Sequence, residues 1–135
     1  KLMANKNKIK GNTLEQNVCK DLRDVYPFVK TARYGSRMAD DSKIDIIGVP
    51  FLIQCKSGYN KPRLKYEELF LENQALIKVH FPPHHVVHKL PYILINKLNR
   101  VAGGKKQQPE MFQVTIQYDF FLELIRNYRT DNPEL

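Results

Sequence analysis

Lys43-Ile44-Asp45-Ile46-Ile47-Gly48-Val49-Pro50-Phe51-Leu52-Ile53-Gln54-Cys55-Lys56-Ser57-Gly58 is the stretch on which the reading of this chain turns. Two apolar runs, Ile44 to Val49 and Phe51 to Ile53, flank Gly48 and Pro50, which predicts a hairpin of two buried strands. Buried strands rarely carry charge without a partner or a task. Asp45 interrupts the first strand. Gln54 and Lys56 stand at the end of the second, two residues apart and therefore on one face. An acid, an amide oxygen and an ammonium at one hairpin describe either a divalent-metal site with a polarised water or a structural salt bridge, and spacing alone leaves both open.

Upstream of the hairpin, residues 1–11 carry Lys1, Lys6, Lys8 and Lys10 without an acid. They read as a basic N-terminal arm, suited to phosphates or to solubility. Thr13 and Gln16 fit a capping box, and Leu14, Val18, Leu22 and Val25 form one apolar stripe of a helix that Pro27 ends. Glu15 borders that stripe and on its own reads as a first-turn acid favoured by the helix dipole. Phe28 to Arg33 reads as a strand. The polar loop that follows brings Arg33, Arg37 and Lys43 around Tyr34. Cations interleaved with an aromatic suit a phosphate track with a stacking surface, and a solvated loop is the competing reading.

Downstream, Lys61, Arg63 and Lys65 lead into a helix expected over about 64–79, where the dipole would favour acids; their placement points to an anion. Residues 80–90, with four histidines around Pro82-Pro83, read as a loop. Tyr92 to Ile95 reads as a buried strand, 99–109 as a flexible basic loop, and Met111 to Gln117 as a half-buried strand. Asp119 is expected to cap a last helix that packs Phe120, Leu124, Ile125 and Tyr128 inward.

The chain has 135 residues and a formal net charge of +8, from 22 basic and 14 acidic side chains. That length suits one domain, residues 12–135, behind the arm. A surplus of this sign favours a polyanion such as nucleic acid. No apolar run approaches the ~20 residues of a membrane span. Cys19 and Cys55 lie in apolar patterns, as expected for two buried thiols in a reducing, intracellular compartment. The predicted order is helix, three strands, helix, two strands, helix: an α/β fold with a mixed five-stranded sheet flanked by helices.

Asp45 followed by Gln54-Cys55-Lys56 at the end of the next strand resembles the core of the PD-(D/E)xK nuclease superfamily, with Gln in place of the second acid. A Gln-x-Lys version is familiar among Mrr-like nucleases and some resolvases. Lys10-Gly11 followed by Glu15, Val18 and Leu22 is similar to the first helix of archaeal-type Holliday junction resolvases, and Gly35-Ser36 resembles the serine-bearing loop of that group. These likenesses cover residues 10–58; beyond them the element order alone agrees.

The resemblance implies a restriction-endonuclease-like core and a metal-dependent endonuclease that nicks branched DNA, a four-way junction first, as a homodimer. It implies Mg²⁺, with Mn²⁺ as substitute, held by Glu15, Asp45, Gln54 and the backbone carbonyl of Cys55. Lys56 would orient the attacking water and Ser36 would contact the cleaved strand. Lys10, Arg33, Tyr34, Arg37, Lys43, Lys61, Arg63 and Lys65 are the expected DNA contacts. Gln54 is the departure: one charge fewer at the metal, and a question over how many metals are held. A non-catalytic nucleic-acid-binding module on the same fold is the reading from another class.

Overall fold

The computed structural model describes residues 6–57, 65–98, 101–102, 106–107 and 111–128, with side chains from Thr13 onward outside the 101–107 segment. Strands β1 (Lys30–Thr31), β2 (Ile46–Ile47), β3 (Leu52–Ser57), β4 (Tyr92–Leu98) and β7 (Met111–Ile116) form one mixed sheet in the order β1-β2-β3-β4-β7. β1, β2 and β3 form an antiparallel meander. β4 runs parallel to β3 over six residue pairs, from Leu52 opposite Tyr92 to Ser57 opposite Lys97, and β7 is antiparallel to β4. The parallel pair needs a long crossover, and helix α3 (Tyr66–His80) supplies it. Two short strands, β5 (Val101–Ala102) and β6 (Lys106–Gln107), pair within the segment expected to be a basic loop.

The sheet divides the core in two. On one face, Leu14 and Cys19 of α1 (Lys6–Leu22) pack with Val29, Ile46, Ile53 and Cys55. On the other, Ile77 of α3 packs with Leu52, Tyr92, Leu94, Phe81 and Val87. The alternation along β3 therefore sends Ile53 and Cys55 towards α1, and Leu52 and Gln54 towards α3. Asn73, fully buried on α3, donates through Nδ2 to the Ser42 carbonyl at 2.9 Å and ties the crossover helix to the segment before β2. Both cysteines are buried free thiols. Among the described residues, no helix is long and apolar enough to cross a membrane.

Several sequence expectations are corrected. Lys6 to Gly11 are the opening turns of α1 rather than part of a mobile arm, because lysine is a good helix former. Thr13 therefore lies inside the helix, and Glu15 is mid-helix, away from the first turn. The helix stops at Leu22, leaving Val25 64% exposed. β1 is two residues long and gives way to a 3-10 turn at Ala32–Tyr34. The polar loop before the hairpin contains a short helix, α2 (Arg37–Asp41), started when Ser36 Oγ accepts the Ala39 N–H at 3.2 Å. Val86–Lys89 forms a 3-10 turn within the histidine-rich segment. In α4 (Tyr118–Asn127) Gln117, not Asp119, is the N-cap residue, and Leu124, Ile125 and Tyr128 stay exposed while Phe120 reaches Phe51.

Candidate active site

Glu15 is mid-helix on α1, one residue after core Leu14, and only 5% exposed. A buried carboxylate needs donors, and Arg33 provides them. Its Nη2 donates to Oε1 at 3.1 Å and its Nε to Oε2 at 3.2 Å, a bidentate pair. Glu15 holds the guanidinium in its charged form and raises its pKa.

Asp45 immediately precedes β2 and is registered by its backbone: its N–H donates to the Ile53 carbonyl, and its carbonyl accepts the Ala32 N–H, both at 2.8 Å. The carboxylate turns back on the hairpin, and Oδ2 accepts the Cys55 N–H at 2.7 Å. Burial pushes the Asp45 pKa up to about 7; the Cys55 N–H lowers it, Glu15 raises it, and Lys56 and Arg33 lower it. Asp45 is thus the point where the charges from α1, the 3-10 turn and the end of β3 meet.

Gln54, 3% exposed, reaches the α3 face, where its Oε1 accepts the Tyr92 hydroxyl proton. Tyr92 sits at 5.5 Å from the Tyr66 ring and 5.8 Å from the Phe70 ring, and its own pKa is raised, chiefly by burial. Glu15, on α1, and Gln54 therefore lie on opposite faces of β3. Lys56 follows Gln54 on the α3 face and lies opposite Asn96 in the parallel register. Asn96 is 5% exposed, and its Oδ1 has no hydrogen-bond partner. At Cys55 it is the backbone N–H that engages Asp45; burial pushes its thiol well up.

Ser36 sits apart from this cluster as the cap of α2. Among the expected DNA contacts, Arg33 is committed to Glu15, while Tyr34 is 78% exposed. Arg37 is exposed beside Asp41 at 3.6 Å. Lys43 is exposed with a left-handed φ of 65°. Lys65 is exposed 3.3 Å from Glu68, and with Glu67 and Glu68 the first turn of α3 carries acids after all. Lys10 lies within α1; Lys61 and Arg63 lie outside the described residues. Sequence reasoning missed the Glu15–Arg33 pair and the Tyr92 hydroxyl. Tyr92 had one available signal, a polar tip inside an otherwise apolar strand.

Glu15 and Asp45 fit a hard cation. Mg²⁺ is held through one or two carboxylates, with waters and substrate phosphate completing its shell. Burial and the charge of Glu15 raise the Asp45 pKa, so a cation beside it would be favoured. Among the described residues no group of three or more His, Cys, Asp or Glu side chains forms a metal cluster, so Gln54 and backbone oxygen would have to extend the donor set. Compared with known proteins, the chain matches no family model, no curated protein and no solved structure.

Proposed function

We propose that the protein is a divalent-metal-dependent endonuclease for branched DNA, with a four-way junction as its first substrate and a homodimer as the form that makes paired nicks. The observation that carries the reading is Asp45: a half-buried carboxylate at a strand start, its pKa near 7, facing the charges of Glu15, Lys56 and Arg33. Charged groups held together at this cost are characteristic of sites rather than of cores. The succession of helix, three-stranded meander, crossover helix and parallel strand supports the reading, since it is the element order of the resembled superfamily.

Bound Mg²⁺ or Mn²⁺ would supply countercharge to the carboxylates and polarise the scissile phosphate. Asp45 and Glu15 would hold the cation, and the Cys55 N–H fixes the rotamer of Asp45. Lys56 orients the attacking water and stabilises the charge that grows on the phosphate. Water oxygen adds to phosphorus and gives up one proton to solvent, the bond from phosphorus to one flanking sugar oxygen breaks, and that oxygen takes a proton from solvent water. The products are a phosphate end and a hydroxyl end. Tyr92 donates to the amide oxygen of Gln54, and Arg33 to both oxygens of Glu15, so a metal would share each of these oxygens with an internal donor.

That last feature favours a second reading, a non-catalytic nucleic-acid-binding module, because Glu15, Asp45 and Gln54 each already accept a hydrogen bond within the protein. Cleavage of an immobile four-way junction under Mg²⁺ and Mn²⁺, with linear duplex alongside, separates the readings. Paired symmetric nicks in the junction support a resolvase. Equal cutting of duplex supports an Mrr-like or other nuclease. Binding without cutting supports the module.

A further inference from the structure

A basic cleft lies at the sheet edge made by β1, on the opposite side of α1 from an apolar cleft lined by Leu14, Val18, Leu22, Phe51 and Ile53. Gln16, Asn17, Cys19, Lys20 and Arg23 of α1 and the turn after it, together with Lys30, Thr31 and Tyr34, line an open cleft of about 510 Å³. Three of these side chains are cations. Among the described residues none of Lys20, Arg23 and Lys30 is within ion-pair distance of a carboxylate, whereas Arg33, Arg37 and Lys65 each are. Asp21, the acid between Lys20 and Arg23, borders the apolar cleft on the opposite side. Uncompensated like charges repel, and a protein gains from gathering them only where an anion completes the set.

Two details shape the cleft. Gly35 has no Cβ; one built there would stand 2.7 Å from Lys30 Cε and 2.6 Å from Ile47 Cδ1, so the glycine is what lets the lysine stem lie across the turn. Tyr34 presents its ring to solvent at the rim, 78% exposed. Polar Gln16, Asn17 and Thr31 lie between the cations. The cleft falls within the ~300–1,000 Å³ of small-ligand sites, room for nucleotide-sized groups. Clustered cations beside an exposed aromatic ring are the elements of a single-strand platform.

We propose that this cleft binds an unpaired nucleic-acid strand, with Lys20, Arg23 and Lys30 on its phosphates and Tyr34 stacked on a base. The strand is the arm of a branched substrate that leaves the Glu15–Asp45 centre along α1, and in that respect the proposal rests on the function proposed above. It adds an unpaired strand as the feature by which the substrate is held.

The test is fluorescence anisotropy in EDTA, where nothing is cut, using labelled oligothymidylate of about 20 nucleotides and a duplex of equal length. Neutralising the cleft in K20Q/R23Q/K30Q is expected to weaken oligothymidylate binding at least about tenfold at 0.1 M salt and to lower the salt slope by about two. Tyr34→Leu is expected to weaken it at least about fivefold without changing that slope. A control triple, K78Q/K89Q/R126Q, removes the same charge elsewhere and is expected to retain wild-type binding to oligothymidylate. The proposal is overturned if the cleft triple binds like the control triple, if Tyr34→Leu is neutral, or if polyglutamate of equal charge displaces the strand as well as unlabelled oligothymidylate does. Strand binding that obeys these expectations in a protein that cuts no junction leaves the cleft in place and removes the nuclease; cutting with an unaffected cleft triple does the reverse.

Discussion

Both carboxylate oxygens of Glu15 are engaged by Arg33, Oε1 by Nη2 at 3.1 Å and Oε2 by Nε at 3.2 Å, across the junction of α1 with the turn after β1. The pair neutralises a carboxylate that is 5% exposed, and in the proposed nuclease it also competes with the metal for the same oxygens. Arg33→Met removes the donor and leaves the acid behind. Without metal the variant is expected to lose on the order of 3 kcal/mol in urea denaturation at pH 8, the cost of breaking such a pair. Millimolar Mg²⁺ is expected to restore more stability to Arg33→Met than to wild type. Equal Mg²⁺ effects on the two would mean that Glu15 faces no metal.

Asp45 sets a pH dependence with a definite sign. Its pKa is about 7 in the folded protein against an ordinary 3.8. Between these values the folded state keeps a proton that the unfolded chain has released, so stability falls as pH rises through the window. The full cost is present above pH 7 and absent below about pH 4. Asp45→Asn is therefore expected to stabilise the metal-free protein at pH 8 by on the order of 2–4 kcal/mol and to do little at pH 4. Thermal melts in EDTA at the two pH values decide it. A structural salt bridge would give the opposite sign at pH 8.

Gln54→Glu places an anion at a buried position where the present side chain accepts the Tyr92 hydroxyl proton. The metal-free variant is expected to melt earlier than wild type at pH 8, since a buried unpaired charge is costly. Its affinity for Mn²⁺ is expected to rise about tenfold in calorimetry, because ligand charge tunes hard-cation binding. Unchanged affinity would take Gln54 out of the metal site.

Gly48 holds the β2–β3 turn at φ 81°, and a Cβ there would run into the Phe28 carbonyl oxygen. Gly48→Ala is expected to lose at least about 2 kcal/mol in urea denaturation, through both the left-handed backbone and the displacement of the segment that leads into β1. A loss below about 0.5 kcal/mol would show that the hairpin tolerates another turn.

The hairpin, the crossover helix and the parallel strand were readable because their signals are local: apolar runs, Gly48, Pro50, and the long gap from Lys56 to Tyr92. The α2 helix was not, since five residues are too few to show a helical period and only Ser36 marks its start. α4 misled for the opposite reason. Leu124, Ile125 and Tyr128 have the spacing of a core stripe, yet they remain 46–73% exposed. At the site, Asp45, Gln54 and Lys56 stood out as charge and amide in apolar strands. Arg33 did not, because its partner lies 18 residues away on another element. Nor did Tyr92, whose ring hides it among core residues.

The central claim is that Asp45 and Lys56 serve phosphodiester cleavage. The most direct measurement is the cutting of an immobile four-way junction in Mg²⁺ and Mn²⁺ by wild type, Asp45→Asn and Lys56→Ala, with junction binding followed in parallel. The account predicts paired nicks from the wild type, a rate at least about 100-fold lower from each variant, and junction affinity in the variants within a few-fold of wild type. Wild-type protein that binds the junction and cuts nothing under either metal, or variants that cut as fast as wild type, would contradict it.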